Sequence, residues 1–172
     1  MEHEHLVTPD NSDFIFDSDD LISEKMLADD RQALEPVLKS LKQAGYYAYG
    51  MVNDENEWTI AADDELGRID VKVGRDGFEV ILWMSSPGRY ADEESPWKQA
   101  SRSRLARISL PRIARGFLQP HQTATWDEVD QGVAVSEHYE LPFTRAADIG
   151  QFVRANHPKL EDLLTLIERQ LD

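Results

Sequence analysis

The sequence predicts an α+β domain in which an antiparallel sheet, a meander plus a hairpin, packs against helices in the order α-βββ(β)-α-ββ-α. Three observations support this class. Apolar residues recur at three- and four-residue spacing near both ends of the chain, which is the helical period. Between these segments the pattern changes to alternation, which is typical of half-buried strands. Short turn sequences separate the alternating segments, so consecutive strands pair as hairpins.

The first predicted helix covers residues 20–44. One apolar stripe runs along it, formed by Leu34, Val37, Leu38 and Leu41. Asp19 or Asp20 can cap its start, and Gly45 suits the position just after its end. Pro36 lies inside this segment, so we expect either a kink there or a second helix that begins near it.

A meander of strands follows over residues 46–84. Tyr47, Tyr49 and Met51 alternate in the first strand, and a polar turn at residues 53–56 leads to a second strand at residues 58–61. A further hairpin joins residues 69–73 to residues 78–82 through a Gly-Arg-Asp-Gly turn.

The register of this further hairpin follows from its side chains. If Val73 lies opposite Phe78, every apolar pair falls on one face of the sheet. The same register sets Lys72 opposite Glu79, which is a favourable pair of opposite charges. A shift of one residue would destroy this agreement, so we predict the unshifted pairing.

The segment that follows, residues 85–118, has a mixed pattern. We expect residues 85–100 to form a polar loop. The stretch Leu105–Leu110 fits either a strand or a helix. Pro111 fits the first turn of a short helix capped by Ser109, and Pro120 ends that helix.

The last third of the chain predicts a second hairpin and a final helix. The hairpin covers residues 123–141 around a turn at Asp130–Gly132, and the pattern leaves its register open. Thr144 can cap the final helix, residues 145–171, which carries a long apolar stripe. Pro158 lies in the middle of this helix and predicts a kink or a restart near Asn156.

Composition excludes several classes of function. The 172 residues include 33 acidic and 18 basic side chains, a net charge of -15, so an anionic membrane or nucleic acid would repel the chain. The chain has no cysteine, which excludes disulfides, thiol catalysis and thiolate zinc sites. The first residues are acidic and no stretch is long enough to span a membrane, so we expect a cytoplasmic protein.

The charge is unevenly distributed along the chain. Residues 1–24 contain eight acidic residues and no Lys or Arg, whereas residues 97–119 contain six basic residues and no acidic one. We expect residues 1–20 to be a flexible acidic extension and residues 21–172 to form a single domain. Three apolar residues, Phe14, Ile15 and Phe16, interrupt the extension and would either dock it onto the domain or insert into a partner.

The basic segment is the strongest candidate for binding a partner or an anion, since guanidinium groups suit carboxylates and phosphates. The candidate residues are Trp97, Arg102, Arg104, Arg107, Arg112 and Arg115. In a helix, three of these arginines share one side, roughly opposite Leu105, Ile108 and Ile113. Those three are Arg104, Arg107 and Arg115. The arginines can instead pair internally, with the acidic extension or with residues 120–140.

Two tryptophans flank the expected loop. Trp83 lies inside a predicted strand, so we expect it in the core. Trp97 lies beyond the loop, where an exposed aromatic residue could anchor an interface.

The sequence contains no catalytic motif, so we do not expect an enzyme, and we expect neither a cofactor nor a metal ion. Nucleotide-binding glycine patterns and the nucleophile elbow are absent. His121 and His138 could approach each other in the second hairpin, with Asp127 and Glu137 as partners. Their spacing matches no recognised ligand pattern, so ordinary polar residues of a strand are the better interpretation.

The order of elements resembles the type III secretion chaperone-like fold, which includes the YbjN-type bacterial proteins. The resemblance is carried by Val37–Gly45, by the Ile69–Trp83 hairpin and by the Thr125–Pro142 segment that leads into Arg145–Leu171. The acidic extension and the arginine-rich segment depart from it. Members of the chaperone branch are small, acidic and usually dimeric, and they bind an extended segment of another protein. The resemblance therefore implies a protein or peptide partner and a homodimer, and it implies no catalytic residue.

These observations favour a non-enzymatic protein-binding module, chaperone-like or regulatory. One alternative is an enzyme or binding protein for an anionic small molecule, which requires the arginines of residues 102–115 to converge in a concave pocket. The other is an acidic inhibitor or nucleic-acid mimic, which requires the acidic residues to cluster on one side of the molecule.

Overall fold

The computed structural model of the chain describes residues 25–63, 67–85, 96–128 and 132–171, and for residues 96–102 it describes the backbone alone. The strands are β1 (Tyr47–Val52), β2 (Trp58–Asp63), β3 (Arg68–Val73), β4 (Phe78–Ser85), β5 (Gln122–Asp127) and β6 (Gly132–Leu141). The helices are α1 (25–43), α2 (Pro96–Phe117), α3 (Ile149–Asn156) and α4 (Lys159–Leu171), and a 3-10 helix, Phe143–Asp148, precedes α3. The predicted α+β class and order of elements are confirmed. The acidic extension, residues 1–20, lies outside the described residues.

All six strands form one antiparallel sheet in the order β1-β2-β3-β4-β6-β5. Because β6 pairs with β4, the shorter β5 occupies one edge of the sheet and β1 occupies the other. The register of the second hairpin, which the sequence left open, pairs Trp126 with Val133 and Ala124 with Val135.

One face of the sheet packs against the helices and forms a single hydrophobic core. The strands contribute fully buried residues such as Ile60, Val71, Leu82 and Val135. The helices contribute Leu34, Leu110, Val153 and Ile167 from α1 to α4 in order. Side chains alternate along a strand, so the intervening residues form the opposite face, which we call the open face.

The open face contains more exposed residues, among them Tyr49, Asp70 and Ile81. The alternating pattern of Tyr47, Tyr49 and Met51 correctly predicted that β1 is a strand. The residue of β1 that turns towards the core is the small Ala48, whereas the larger Tyr47 is exposed.

The predicted register of the β3–β4 hairpin is confirmed. Val73 lies opposite Phe78, and the apolar pairs that follow are buried against the helices. On the open face Lys72 lies opposite Glu79, with 3.9 Å between Nζ and Oε2. Its nearer partner is Glu57, at the end of the β1–β2 turn, whose Oε1 lies 3.3 Å from Nζ.

Two predictions for residues 85–118 are wrong where the structure describes these residues, because α2 is one helix from Pro96 to Phe117 and Ser85 closes β4. Residues 86–95 of the predicted loop lie outside the described residues. Residues 96–100 are therefore helical, and Pro111 lies inside α2 instead of opening a helix capped by Ser109. Packing explains the difference, since residues on both sides of Pro111 contribute to the core. Pro111 itself is exposed, so water can satisfy the backbone carbonyl group that loses its hydrogen-bond donor.

The end of α1 follows the prediction. α1 passes through Pro36 as one helix and stops before Gly45, which has a φ of +97°. The Gly45 N–H donates to the Lys42 carbonyl at 3.0 Å, and the Tyr46 N–H donates to the Leu41 carbonyl at 3.1 Å. These two bonds make the Schellman arrangement that glycine permits at a helix end.

The C-terminal helical segment restarts where Pro158 predicts it. α3 ends at Asn156 and α4 begins at Lys159. The predicted cap by Thr144 is wrong, because Thr144 lies within the 3-10 helix and that helix begins after Pro142. No helix in the described ranges is both long and apolar enough to cross a membrane.

Candidate partner-binding site

α2 lies over the edge strand β5 and also contacts α4. Its inner side consists of residues three and four positions apart, Ser103, Ala106 and Leu110, which are buried. Ile113 continues this side and is partly buried against the core. The helix is thus anchored along one side, and its opposite side is free to face outwards.

The outward side of α2, which we call the α2 outer face, is both cationic and apolar. It consists of seven exposed residues that share one side of the helix: Arg104, Leu105, Arg107, Ile108, Pro111, Arg112 and Arg115. The predicted grouping of Arg104, Arg107 and Arg115 on one side is consistent with this arrangement.

Leu105 and Ile108 lie among the arginines and not opposite them, which corrects one prediction. Their exposed fractions are 62% and 68%, although both are large aliphatic residues. Since they are three positions apart on a helix, their side chains are neighbours on the surface. Of the apolar residues expected to oppose the arginines, Ile113 alone does so.

The guanidinium groups of this face make few ion pairs within the chain. Arg107 Nη1 lies 3.1 Å from Glu128 Oε1, beside the end of β5, and both side chains are more than half exposed. An exposed pair of this kind contributes only about 0–1 kcal/mol. Arg104, Arg112 and Arg115 form no ion pair with any residue in the described ranges. The expected internal pairing with residues 120–140 therefore accounts for Arg107 and leaves three positive charges on the surface.

For two of the residues predicted for this site, the structure describes the backbone only. Arg102 and Trp97 lie in the first turns of α2, where the structure describes the backbone path and no side chain. Their helical backbone places them on the same element as the α2 outer face. Their contribution to it stays a prediction.

Two cavities lie on the open face of the sheet. One of about 390 Å³ is lined by Trp83, Arg68 and Thr125, and another of about 280 Å³ is lined by Lys72, Ile81 and Met51. Neither is lined by an arginine of α2. Trp83, which we expected in the core, has an exposed fraction of 37% and belongs to the open face.

The second hairpin brings together one further polar group. Glu137, a nearly buried residue of β6, accepts a hydrogen bond from Gln122 Nε2 at 2.9 Å, and His121 Nε2 lies 3.4 Å from the same oxygen. Burial first, and then the neighbouring Glu137, to which the phenol donates a hydrogen bond, together raise the pKa of Tyr139 to about 12. The group is a satisfied polar network at the edge of the helix-covered face.

The two histidines named from the sequence do not form one site. The His138 N–H donates to the His121 carbonyl at 2.8 Å, so the backbones are adjacent. The His138 ring instead lies 3.3 Å from Ser136 Oγ, on the open face, while the His121 ring contacts Glu137 and Tyr139. Among the described residues no group of His, Asp and Glu side chains is arranged to hold a metal ion.

Sequence reasoning found the arginines of the α2 outer face but missed its apolar pair. The sequence does contain a signal for this pair. When residues 103–115 are placed around one continuous helix, the buried positions fall on one side and all seven outer positions on the other. Pro111 concealed it, since a proline suggested that one element ended and another began there.

Comparisons of the chain with protein-family models, with curated proteins and with solved structures find no match.

Proposed function

We propose that this chain is a non-enzymatic protein-binding module that binds an acidic segment of a partner protein on the α2 outer face. One observation carries the proposal: Leu105 and Ile108 are mostly exposed between four exposed arginines on a helix whose other side is anchored in the core. Exposed aliphatic side chains at the centre of a charged rim are typical of an interaction surface.

The two kinds of residue on this face have different roles in the proposed binding. Full burial of a Leu or Ile side chain is worth about 1.5–3 kcal/mol, so covering Leu105 and Ile108 supplies most of the affinity. Exposed ion pairs add little free energy, but they accelerate association and select partners of opposite charge. The expected partner segment therefore has apolar side chains flanked by carboxylates.

The geometry favours this function over the two alternatives. A site for an anionic small molecule needs converging arginines, whereas the described arginines of α2 project from an exposed helix side. A nucleic-acid mimic needs clustered acidic residues, whereas the exposed Glu35, Asp54 and Glu161 lie on α1, in the β1–β2 turn and on α4. The family resemblance noted in the sequence implies a protein partner as well.

A second copy of the chain is not the partner that we propose for this face. A symmetric dimer through α2 would set the outer faces of two copies against each other. Arginines would then lie opposite arginines, which is unfavourable at an interface. A homodimer that uses another surface remains compatible with the proposal.

Site-specific photo-crosslinking in a lysate of the native organism tests the proposal. A photoreactive amino acid replaces Ile108 in one sample and Leu166 in a matched control, since Leu166 is also an exposed aliphatic residue but lies on α4. We expect one polypeptide to be cross-linked from position 108 and not from position 166, through a segment rich in Asp and Glu. The double substitution Arg104→Glu and Arg112→Glu should reduce the yield of the adduct at least about tenfold, because it replaces attraction by repulsion. Equal yields from positions 108 and 166, or a yield that the arginine substitutions leave undiminished, would contradict the proposal.

A further inference from the structure

We infer that the chain's own N-terminal segment, residues 10–20, docks on the α2 outer face and competes with the partner for it. This inference rests on the proposed function and adds regulation to the same surface. It also identifies the chemistry of a first occupant, which is an apolar triplet flanked by aspartates.

The segment and the surface have complementary patterns. Phe14, Ile15 and Phe16 form a continuous apolar triplet in the sequence. Five aspartates flank the triplet: Asp10, Asp13, Asp17, Asp19 and Asp20. The α2 outer face has the same arrangement with the opposite charge: the apolar pair Leu105 and Ile108 is surrounded by arginines. Apolar contact at the centre and ion pairs around it could therefore form together.

Charge directs the segment towards this surface. The whole chain has a net charge of -15 and residues 1–24 contribute -8, so residues 25–172 together carry -7. Most of the domain therefore repels the segment. Basic residues elsewhere on the sheet are already engaged, since Lys72 pairs with Glu57 and Arg68 pairs with Asp70 at 2.9 Å. Arg104, Arg112 and Arg115 form no such pairs within the described residues, and residues 97–119 contain no acidic side chain, so the α2 outer face attracts the segment.

The length of the segment is of the same order as the separation of α1 and α2 across the sheet. α1 lies over β1 and β2, where the Arg31 guanidinium is 5.0 Å from the centre of the Trp58 ring, and α2 lies over β5 at the far edge. Five strand spacings separate these edges, which is about 24 Å. Residues 17–24 span up to about 27 Å when extended, which is comparable to this distance across the sheet.

Docking within one chain has a consequence for the partner. A tethered segment has an effective concentration of about millimolar, so even weak docking occupies the face for much of the time. The partner then binds only the fraction of molecules whose face is free, and its apparent affinity is reduced by that fraction. Proteolysis of the segment, or a competing basic protein that binds it, would release the face.

Paramagnetic relaxation measurements on the full chain test the inference. The chain contains no cysteine, so Ser18→Cys provides a unique position for a nitroxide label. We expect selective broadening of the amide signals of residues 104–115, and we expect it to disappear in the Phe14→Ala, Phe16→Ala variant and in high salt. Arg104→Glu with Arg112→Glu should also remove it, whereas the matched reversal Arg75→Glu with Arg169→Glu should not. Unchanged sheet signals would establish that each variant is folded.

Several outcomes would overturn the inference. Broadening of another surface, or none on α2, would exclude docking there. Broadening that also arises between unlabelled ¹⁵N chains and spin-labelled ¹⁴N chains in a mixed sample would assign the segment to a second copy. Competition further predicts that the Phe14→Ala, Phe16→Ala variant raises the yield of partner adduct at position 108 about threefold, and an unchanged yield would exclude it. A partner adduct at position 108 without α2 broadening would refute this inference alone, whereas α2 broadening in the original chain, with no partner adduct even in the Phe14→Ala, Phe16→Ala variant, would refute the proposed function alone.

Discussion

Ser40 on α1 and Gly150 on α3 are in direct contact, although 110 positions separate them in the sequence. The Gly150 N–H donates to Ser40 Oγ at 2.8 Å, and Ser40 Oγ donates to the Ala147 carbonyl at 2.8 Å. Asp148, which precedes α3, makes no capping hydrogen bond with its side chain, so Ser40 satisfies an amide at the start of that helix. This contact fixes α1, and with it the origin of the N-terminal segment, to the C-terminal half of the domain.

Substituting Gly150→Ala should therefore destabilise the protein. A β-carbon at this position would lie 2.2 Å from the backbone oxygen of Ser40, so α1 and α3 would have to separate. We expect a loss of about 1–3 kcal/mol in the free energy of unfolding, measured by urea denaturation.

Gly116→Ala on α2 is the matched control for Gly150→Ala. The space around Gly116 is open, because no other part of the described chain lies within 4 Å of the position that a β-carbon would take. Replacing an exposed helical glycine should stabilise the protein by about 0.5–1 kcal/mol. Equal effects of the two substitutions would contradict the close approach of the two helices.

Pro111→Ala should stabilise the protein without altering the charge of the α2 outer face. Pro111 lies inside α2 and donates no backbone hydrogen bond, and a proline in a helix interior costs up to about 3 kcal/mol relative to alanine. Part of this gain is lost because proline also restricts the unfolded chain, so we expect an increase of about 1–2 kcal/mol. A decrease in the free energy of unfolding would mean that α2 is not continuous through residue 111.

The raised pKa of Tyr139 predicts how the free energy of unfolding changes in alkaline solution. Its pKa is raised to about 12 in the folded protein, chiefly by burial and then by Glu137, whereas that of an unfolded tyrosine is near 10. A raised pKa favours the neutral phenol in the folded state. The resulting stability is complete below pH 10 and is lost as the pH rises towards 12.

The Tyr139→Phe variant provides the measurement. Ultraviolet titration of tyrosine absorbance in the two proteins should differ by one phenol that ionises near pH 12. The free energy of unfolding of the variant should fall less steeply between pH 10 and pH 12 than that of the original chain. A difference spectrum that titrates near pH 10 would place the Tyr139 hydroxyl in water instead.

Local pattern was sufficient to predict the strands of the meander and failed for α2. The β3–β4 register followed from the sequence because one pairing alone puts Val71 and Val80 together on the buried face and Lys72 beside Glu79. In α2 the pattern is weaker, since Leu105 and Ile108 are exposed and Pro111 interrupts it. Packing of Leu110 and Ile113 on the core decides the structure there, and such long-range packing is not visible in a short window of sequence.

The candidate site was likewise only partly predictable. The arginines are visible from composition along the chain, but their freedom from ion pairs depends on which acidic residues the fold brings near. Glu128 reaches Arg107 because β5 ends beside α2. The contact between Ser40 and Gly150 left no sequence signal at all, since it joins two helices that are far apart in the chain.

The most direct test of the central claim, that the α2 outer face recognises an acidic apolar segment, is a fluorescence anisotropy titration. The probe is a labelled synthetic peptide of residues 9–21, and the protein is the full chain with Phe14→Ala and Phe16→Ala, which frees the face. We predict saturable binding that weakens at least about tenfold with Arg104→Glu and Arg112→Glu, and that stays within about twofold with the matched reversal Arg75→Glu and Arg169→Glu. Undiminished binding after reversal of the α2 arginines, or an equal loss in both reversal variants, would contradict the account.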